Sequence, residues 1–290
     1  MVSSLPQELV DAIIDHLDTS SLTRTSAVSH AFLTPSHRRL FRSLTFRITH
    51  RNAPKFIHTR RLLGILTSNP SLARHIRDLT LILHDSAAAK QDPYLPKLLR
   101  LLTSLRSFTF EHDPSSGSNS SPDSPLSLVR TVLERSPTLH TARFVKLCPC
   151  MFEFAPISHL APQLRHVEFQ GHFHAIQCFR RVPVLEKYDD TVPVLSGVQR
   201  KGDVPSARIE ALSIGGLGVS RFVDSLLATS PAMTFSRLRE LKISGWKHDV
   251  FPAAWEVMKL AQETLESVVF YWPYGRSCMF FSYILFAVQN

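Results

Sequence analysis

Near its start the chain spaces hydrophobic residues with the period of an α-helix. Five of them occupy positions i, i+1, i+4, i+5 and i+8 and so share one helical stripe: Leu9, Val10, Ile13, Ile14 and Leu17. Ser4 and Gln7 have the spacing of a capping box, and Pro6 would lie in the first turn, where its missing N–H costs nothing. An amphipathic helix with a well-defined start is therefore predicted.

Two more helices are predicted directly after the first. Asp18 and the hydroxyl residues that follow it end the first helix and can cap a second. Thr34–Pro35 is predicted to open a third, shorter helix. The apolar residues assigned to the second helix are Leu22, Val28, Ala31 and Phe32, and those on the inner side of the third are Leu40, Phe41 and Leu44. Such a small core needs the rest of the chain or a partner to complete it.

Beyond these helices a short frame, apolar-x-x-apolar-x-apolar, recurs along the chain. Its first positions are 21 to 34 residues apart, which brackets the period of leucine-rich repeats. The seven copies are Ile76/Leu79/Leu81, Leu105/Phe108/Phe110, Leu139/Ala142/Phe144, Leu164/Val167/Phe169, Ile209/Leu212/Ile214, Leu238/Leu241/Ile243 and Leu265/Val268/Phe270, and a degraded copy is Leu185/Tyr188/Asp190. Each copy is expected to form one strand that must stack on its neighbours to bury its inner face.

Helical returns are predicted between several of these strands. The segments with helical character are Phe56–Ser68, Tyr94–Ser104, Leu126–Arg135, Val219–Ala228 and Ala253–Gln262. The pattern thus favours a mixed α/β fold, in which a short N-terminal three-helix module precedes a divergent leucine-rich-repeat solenoid with parallel strands. An α/β domain with a parallel sheet and ordinary crossovers is the competing interpretation.

The N-terminal pattern resembles a known module. The order Leu5-Pro6-x-x-Leu9, Ile13-Ile14, Leu17, Leu22, Val28-Ser29, Leu40-Phe41 is similar to an F-box, which docks on the Skp adaptor of cullin-type ubiquitin ligases. The resemblance implies a set of adaptor contacts or their supports: Leu5, Pro6, Leu9, Ile13, Ile14, Leu17, Val28, Phe32, Leu40 and Phe41. The alternative is a helical cap that uses the same residues internally.

Two domains and two loops are expected. Residues 1–46 would form the F-box-like module and residues 47–290 the repeats. Residues 113–125 are rich in serine and proline and are predicted to form a mobile loop, and the stretch from Asp189 to Ala207 is also expected to loop out. The segment from Tyr274 to Asn290 lacks a polar capping repeat, and a truncated C-terminus is one interpretation of it.

Composition limits the cellular setting. The chain has 44% hydrophobic and 20% charged residues, enough for a folded core. No secretory signal starts it, and the longest apolar run, Cys278–Val288, is too short to span a bilayer. Four cysteines in 290 residues do not form a disulfide framework. We therefore expect a cytoplasmic or nuclear protein with reduced cysteines and no membrane partner.

Positive charge is concentrated in one region. Between Thr19 and Arg77 there are eleven Lys or Arg residues and no Asp or Glu, which exceeds the net charge of +9 of the whole chain. Such a region attracts acidic partners. No nucleic-acid recognition motif accompanies it, so a protein partner is favoured over nucleic acid. The F-box resemblance implies an acidic protein partner, since Skp adaptors are acidic.

Residues suited to catalysis or metal binding are sparse. Cys148 and Cys150, and the group of His172, His174 and Cys178, could ligate zinc but match no paired-knuckle spacing. The run Gly215–Gly218 lacks the lysine of a P-loop, and no serine lies in a G-x-S-x-G elbow. We therefore predict no enzyme activity, no cofactor and no metal site.

The two modules together resemble the F-box family's substrate receptors. This resemblance implies a non-catalytic adaptor that links an unknown target protein, through a Skp-type adaptor, to a cullin scaffold. The run from Ser68 to Leu79 resembles the first repeat of fungal F-box proteins. Outward strand positions are the candidate target contacts: Thr80, Thr109, Arg143, Glu168, Ser213, Glu240, Lys242 and Tyr271. A repeat scaffold with a helical cap and a basic nucleic-acid binder remain the alternatives.

Overall fold

A computed structural model describes most of the chain. The described residues are 5–49, 56–84, 89, 91–112, 123–146, 161–170, 208–215, 235–244, 250–272 and 279–283. They fall into two compact units, Met1–Leu139 and His140–Asn290. The predicted boundary at residue 46 stays a prediction.

The first unit begins with three helices, α1 (Gln7–His16), α2 (Thr19–Ser26) and α3 (His30–Leu40). Their shared core consists of Val10, Ile14 and Leu22, with Leu17, Phe32 and Leu40 packed against it. The Asp18 carboxylate caps α2 by accepting a hydrogen bond from the Ser21 N–H at 2.7 Å. This bond lowers the pKa of Asp18 because it favours the charged form. The apolar stripe predicted from the sequence thus does form a helical core.

Several predicted boundaries in this region are wrong. Helix α1 begins at Gln7 and Pro6 is its N-cap, so Pro6 precedes the first turn instead of lying in it. Ser4, the other member of the predicted capping box, lies outside the described residues. Helix α3 begins after Ser29, whose hydroxyl accepts a hydrogen bond from the Ala31 N–H at 3.3 Å. Pro35 therefore lies inside α3 instead of opening it. The start of α3 is therefore set by the hydroxyl cap of Ser29 and not by Pro35.

The first unit also contains three parallel strands in register, β1 (Ser43–Ile48), β2 (Asp78–Leu83) and β3 (Ser107–His112). The row of Leu44, Leu79 and Phe108 and the row of Phe46, Leu81 and Phe110 run across the inward face of these strands. Leu44 is thus a strand residue and not part of the third helix. The sequence held a further copy of the frame, Phe41/Leu44/Phe46, that the repeat search missed.

Helices follow these strands on the chain. They are α4 (Ile57–Ser68), α5 (Pro70–Ala73), α6 (Leu95–Leu101) and α7 (Asp123–Arg135). The buried side chains of α6, α7 and the strands form the core of this unit, with Leu98, Leu99, Val132, Leu133 and Phe108 all fully buried. Residues 113–122 of the predicted loop lie outside the described residues, whereas residues 123–125 begin α7.

The second unit holds five parallel strands in the order β4 (Thr141–Val145), β5 (His166–Gln170), β6 (Ala211–Gly215), β7 (Glu240–Ser244) and β8 (Ser267–Trp272). Helix α8 (Val250–Leu260) lies between β7 and β8 on the chain, and β9 (Met279–Tyr283) pairs antiparallel with β8. The inward rows are buried, and the rings of Phe144 and Phe169 stack with centroids 5.1 Å apart. One strand forms at each described copy of the frame.

Within each unit, neighbouring parallel strands are tied together by a repeated hydrogen-bond pattern just before the second of the two strands starts. In the first unit the Arg42 carbonyl accepts from the N–H groups of Arg77 and Asp78, at 2.8 and 3.0 Å. The Arg77 carbonyl accepts from Arg106 and Ser107 in the same way, at 2.7 and 3.0 Å. In the second unit the carbonyls of His140, Arg165, Glu210 and Arg239 repeat this pattern. The residue that directly precedes each of these parallel strands takes part in this pattern, and we call its place the ladder position.

The mixed α/β prediction is confirmed: N-terminal helices precede parallel strands with helical returns, as in a solenoid. The returns predicted near α4, α6, α7 and α8 are present, with shifted ends. The degraded repeat copy and the segments 189–207 and 219–228 lie outside the described residues.

Candidate protein-interaction sites

The residues predicted to contact an adaptor divide into two groups. Four large apolar side chains are exposed, one just before α1, two on α1 and one in the turn after α2: Leu5 at 52%, Leu9 at 53%, Ile13 at 42% and Val28 at 77%. Leu9 and Ile13 lie on one stripe of α1, and Leu5, two residues before the helix begins, continues their four-residue spacing. We call these three residues with Val28 the exposed apolar stripe. Pro6 is exposed beside it.

The other group lies inside the three-helix core or at its end. Ile14 is 2% exposed, and Leu17, Phe32 and Leu40 pack against the core cluster. Phe41 is partly buried, and its ring meets His37 edge-on with centroids 5.9 Å apart. These residues support the exposed apolar stripe. The sequence search assigned Val10 and Leu22 to the helices but did not separate core from surface, because both stripes of α1 are equally apolar.

A charged side chain links α3 to the C-terminal end of α1. The Arg39 guanidinium on α3 donates to the Ile14 carbonyl at 2.7 Å, at the C-terminal end of α1. The same group lies 3.3 Å from the Asp15 carboxylate. A cation near the last carbonyls of a helix is favourable for the helix dipole. Arg39 therefore helps to hold α1 so that its apolar side faces outward.

The predicted target contacts lie on the outward faces of the strands. In the first unit Thr80 and Thr109 are register partners on β2 and β3, and Thr45 on β1 extends their row. In the second unit one row contains Arg143, Glu168, Ser213 and Lys242. Glu240 and Tyr271 lie in the rows on either side of it. The structure thus brings five of the eight residues together on β4 to β7.

Ion pairs order this outward surface of the second unit. Arg143 lies 3.1 Å from Glu168, and the Gln170 amide donates to Glu168 at 2.5 Å. Lys242 lies 2.7 Å from Glu240 on the same strand. The hydrogen bond to Glu240 raises the pKa of Lys242, although partial burial opposes the shift. The surface is polar and holds charges of both signs.

A shallow cavity of about 190 Å³ opens in this surface. Ala211 and Ser213 form its floor, because these small residues on β6 lie between longer side chains on β5 and β7. Its lining is Thr141, His166, Val167, Glu168, Ala211, Leu212, Ser213, Glu240 and Lys242. The sequence search missed Thr141 and His166. Small residues at outward positions between strands with long ones were the available signal.

Signs of other functions are few in the part of the chain that the structure describes. No group of three or more His, Cys, Asp or Glu side chains there could hold a metal ion. The candidate ligands from Cys148 to Cys178 all lie outside it. None of the helices described is long and apolar enough to cross a membrane.

Comparison with known proteins bears on the N-terminal helices. The family model of the F-box domain matches residues 2–34, which include α1, α2 and the start of α3. No curated protein matches the chain significantly. An F-box domain is therefore found at the N-terminus of this chain.

Proposed function

We propose that this protein is a non-catalytic substrate-recognition adaptor of a cullin-type (SCF) ubiquitin ligase. Its F-box would dock on a Skp-type adaptor, and its repeat strands would bind a target protein. The observation that carries the proposal is the F-box match together with the exposed apolar stripe on α1. An F-box is the docking module of such ligases, and an exposed apolar stripe is suited to a protein partner.

The proposed mechanism is proximity. The chain would hold a target next to the enzyme that carries activated ubiquitin, which raises the effective concentration of a target lysine near the thioester. Such a mechanism needs two binding surfaces and no catalytic group in this chain. The protein would act in the cytoplasm or nucleus, where these ligases assemble.

Exposure supports docking over a role as a helical cap. A cap would bury its apolar residues against the repeats, yet Leu9 and Val28 are 53% and 77% exposed. Ile14 and Leu22 already provide the internal core of the module. The stripe therefore has apolar surface to offer to a partner.

For the repeat part we propose a divergent leucine-rich-repeat domain of fungal type that binds the target. The in-register parallel strands and their helical returns support this proposal. On the second unit the target would contact the outward row and the cavity above β6. There, Arg143 and Glu168 on one side and Glu240 and Lys242 on the other present paired charges around the small Ser213.

Co-purification of the full chain with a Skp-type adaptor tests the proposal. We expect the wild-type complex to form and Leu9→Asp to abolish it. The introduced carboxylate would lose its water on docking, and burial of one leucine side chain is itself worth about 1.5–3 kcal/mol. Because Leu9 is exposed, the variant should keep the thermal unfolding midpoint of the wild type.

Ile65→Asp is the matched control. Ile65 on α4 is exposed at 49%, close to the exposure of Leu9, but lies outside the F-box match. Its complex should form like that of the wild type. The proposal would be contradicted if the folded wild-type chain failed to bind the adaptor, or if the Leu9→Asp variant bound it with the affinity of the wild type.

A further inference from the structure

The ladder position carries different charges in the two units. In the second unit Arg165 pairs with Glu210 at 3.4 Å, and Arg239 pairs with Glu266 at 3.5 Å. From Arg165 to Glu266, arginine and glutamate therefore alternate along that ladder and their charges offset each other. This arrangement is the expected one, because it offsets the repulsion between neighbouring side chains of like charge.

In the first unit the same position is occupied by arginine on every strand. Arg42, Arg77 and Arg106 directly precede β1, β2 and β3, and carbonyl hydrogen bonds link Arg42 to Arg77 and Arg77 to Arg106. Neighbouring strands are about 4.8 Å apart, so the three residues extend over roughly 10 Å. We call Arg42, Arg77 and Arg106 the arginine ladder.

Little negative charge balances the arginine ladder. Asp78 lies 3.6 Å from the Arg42 guanidinium, and Arg77 donates to the Ser104 carbonyl at 3.1 Å. Among the described residues no carboxylate pairs with Arg77 or Arg106. The side chain of Arg42 is 71% exposed even with its partner, and Arg106 is exposed as well.

The end of α3 adds further positive charge to this surface. His75, just before β2, has a lowered pKa because of its burial and the nearby charges of Arg38, Arg77 and His37. Arg38 lies in the last turn of α3, which ends only two residues before Arg42. Clustered cations without matching anions raise the electrostatic energy of the folded protein, and a bound anion would lower it.

We infer that the arginine ladder, flanked by Arg38, is a docking surface for an acidic segment of a partner protein. Guanidinium groups bind carboxylates through paired hydrogen bonds, so aspartate and glutamate side chains suit the ladder. The length of about 10 Å matches a few residues of a peptide, whereas nucleic-acid binders usually engage a longer row of phosphates. The inference does not depend on docking through the exposed apolar stripe, which consists of other residues.

The test uses the full chain and a fluorescein-labelled oligoglutamate peptide, with binding followed by fluorescence anisotropy at low salt. We expect the wild type to bind and the double variant Arg42→Gln/Arg106→Gln to raise Kd about tenfold, since exposed pairs each contribute modestly. Arg42→Lys/Arg106→Lys keeps the charge and should recover part of the affinity. Added salt should weaken wild-type binding.

The second unit provides a matched control. Arg165→Gln/Arg239→Gln removes two arginines from the same ladder position, where they are paired with glutamates. It should leave Kd within about twofold of the wild type. Arg106→Gln alone serves as a further variant, because Arg106 is exposed and its side chain has no partner among the described residues.

Three outcomes would overturn the inference: no binding of oligoglutamate, equal losses in the two double variants, or tighter binding of a single-stranded oligonucleotide than of oligoglutamate. The ligase proposal is tested through a different residue, by loss of adaptor co-purification in Leu9→Asp, so failure here is distinguishable from failure of that proposal.

Discussion

Two adjacent isoleucines in α1 allow the contributions of side chains to folding and to docking to be measured separately. Ile14 is 2% exposed in the three-helix core, whereas Ile13 is 42% exposed on the apolar stripe. Replacing either with alanine removes the same atoms from the same helix and favours helix formation equally. Any difference between the two variants therefore reports the surroundings of each side chain.

The expected magnitudes differ clearly. Truncation of a buried isoleucine to alanine costs about 2–5 kcal/mol, so Ile14→Ala should make α1 open far more often. Ile13→Ala should change stability by less than about 0.5 kcal/mol, as exposed substitutions usually do. In docking, Ile13 can bury its exposed part, which is worth about 1 kcal/mol, or roughly fivefold in Kd.

Hydrogen exchange of the α1 amides and calorimetric titration with the Skp-type adaptor measure the two effects. Exchange in α1 should accelerate strongly in Ile14→Ala and hardly at all in Ile13→Ala. In Ile13→Ala docking should weaken while the α1 amides keep their protection from exchange. In Ile14→Ala docking should weaken only to the extent that α1 opens. Equal exchange rates in the two variants would refute the assignment of core and surface.

Two further predictions concern the first unit. Ser136 is 1% exposed and its hydroxyl donates to the Leu102 carbonyl at 3.0 Å. Ser136→Ala should therefore lower the free energy of unfolding, measured by urea titration, by about 1–3 kcal/mol. Thr138→Val, at a more exposed position, should lower it less. Because the pKa of His75 is lowered in the folded protein, His75 binds a proton more readily in the unfolded chain as the pH falls. Stability should therefore fall as the pH drops below about 6.5, the ordinary pKa of histidine. An NMR titration should give His75 a pKa below that ordinary value, and an unshifted pKa would contradict the burial argument.

The sequence predicted strands well because the repeat frame puts burial at fixed positions. Leu79, Phe108 and Leu212 are each buried as the frame requires. Local signals that compete with this periodicity misled the prediction near α3. Pro35 suggested a helix start that the Ser29 cap sets elsewhere, and the helical interpretation of Phe41 concealed the first strand.

The candidate sites were less predictable than the fold. Spacing alone cannot tell Ile13 from Ile14, because exposure depends on where α2 and α3 pack against α1. The cavity above β6 likewise depends on which strands become neighbours of Ser213. Such information lies in contacts between distant residues, which a local pattern does not contain.

The short junction between α3 and β1 has a mechanical consequence. Only Phe41 and Arg42 separate the two elements, and the Arg42 N–H donates back to the Arg39 carbonyl at 3.3 Å. The first strand therefore cannot swing freely on a tether behind the F-box helices. In the proposed ligase this rigid junction would hold the strands at a defined distance from the docked adaptor. The position of a target lysine would then depend on the structure of the junction and not on the length of a flexible linker.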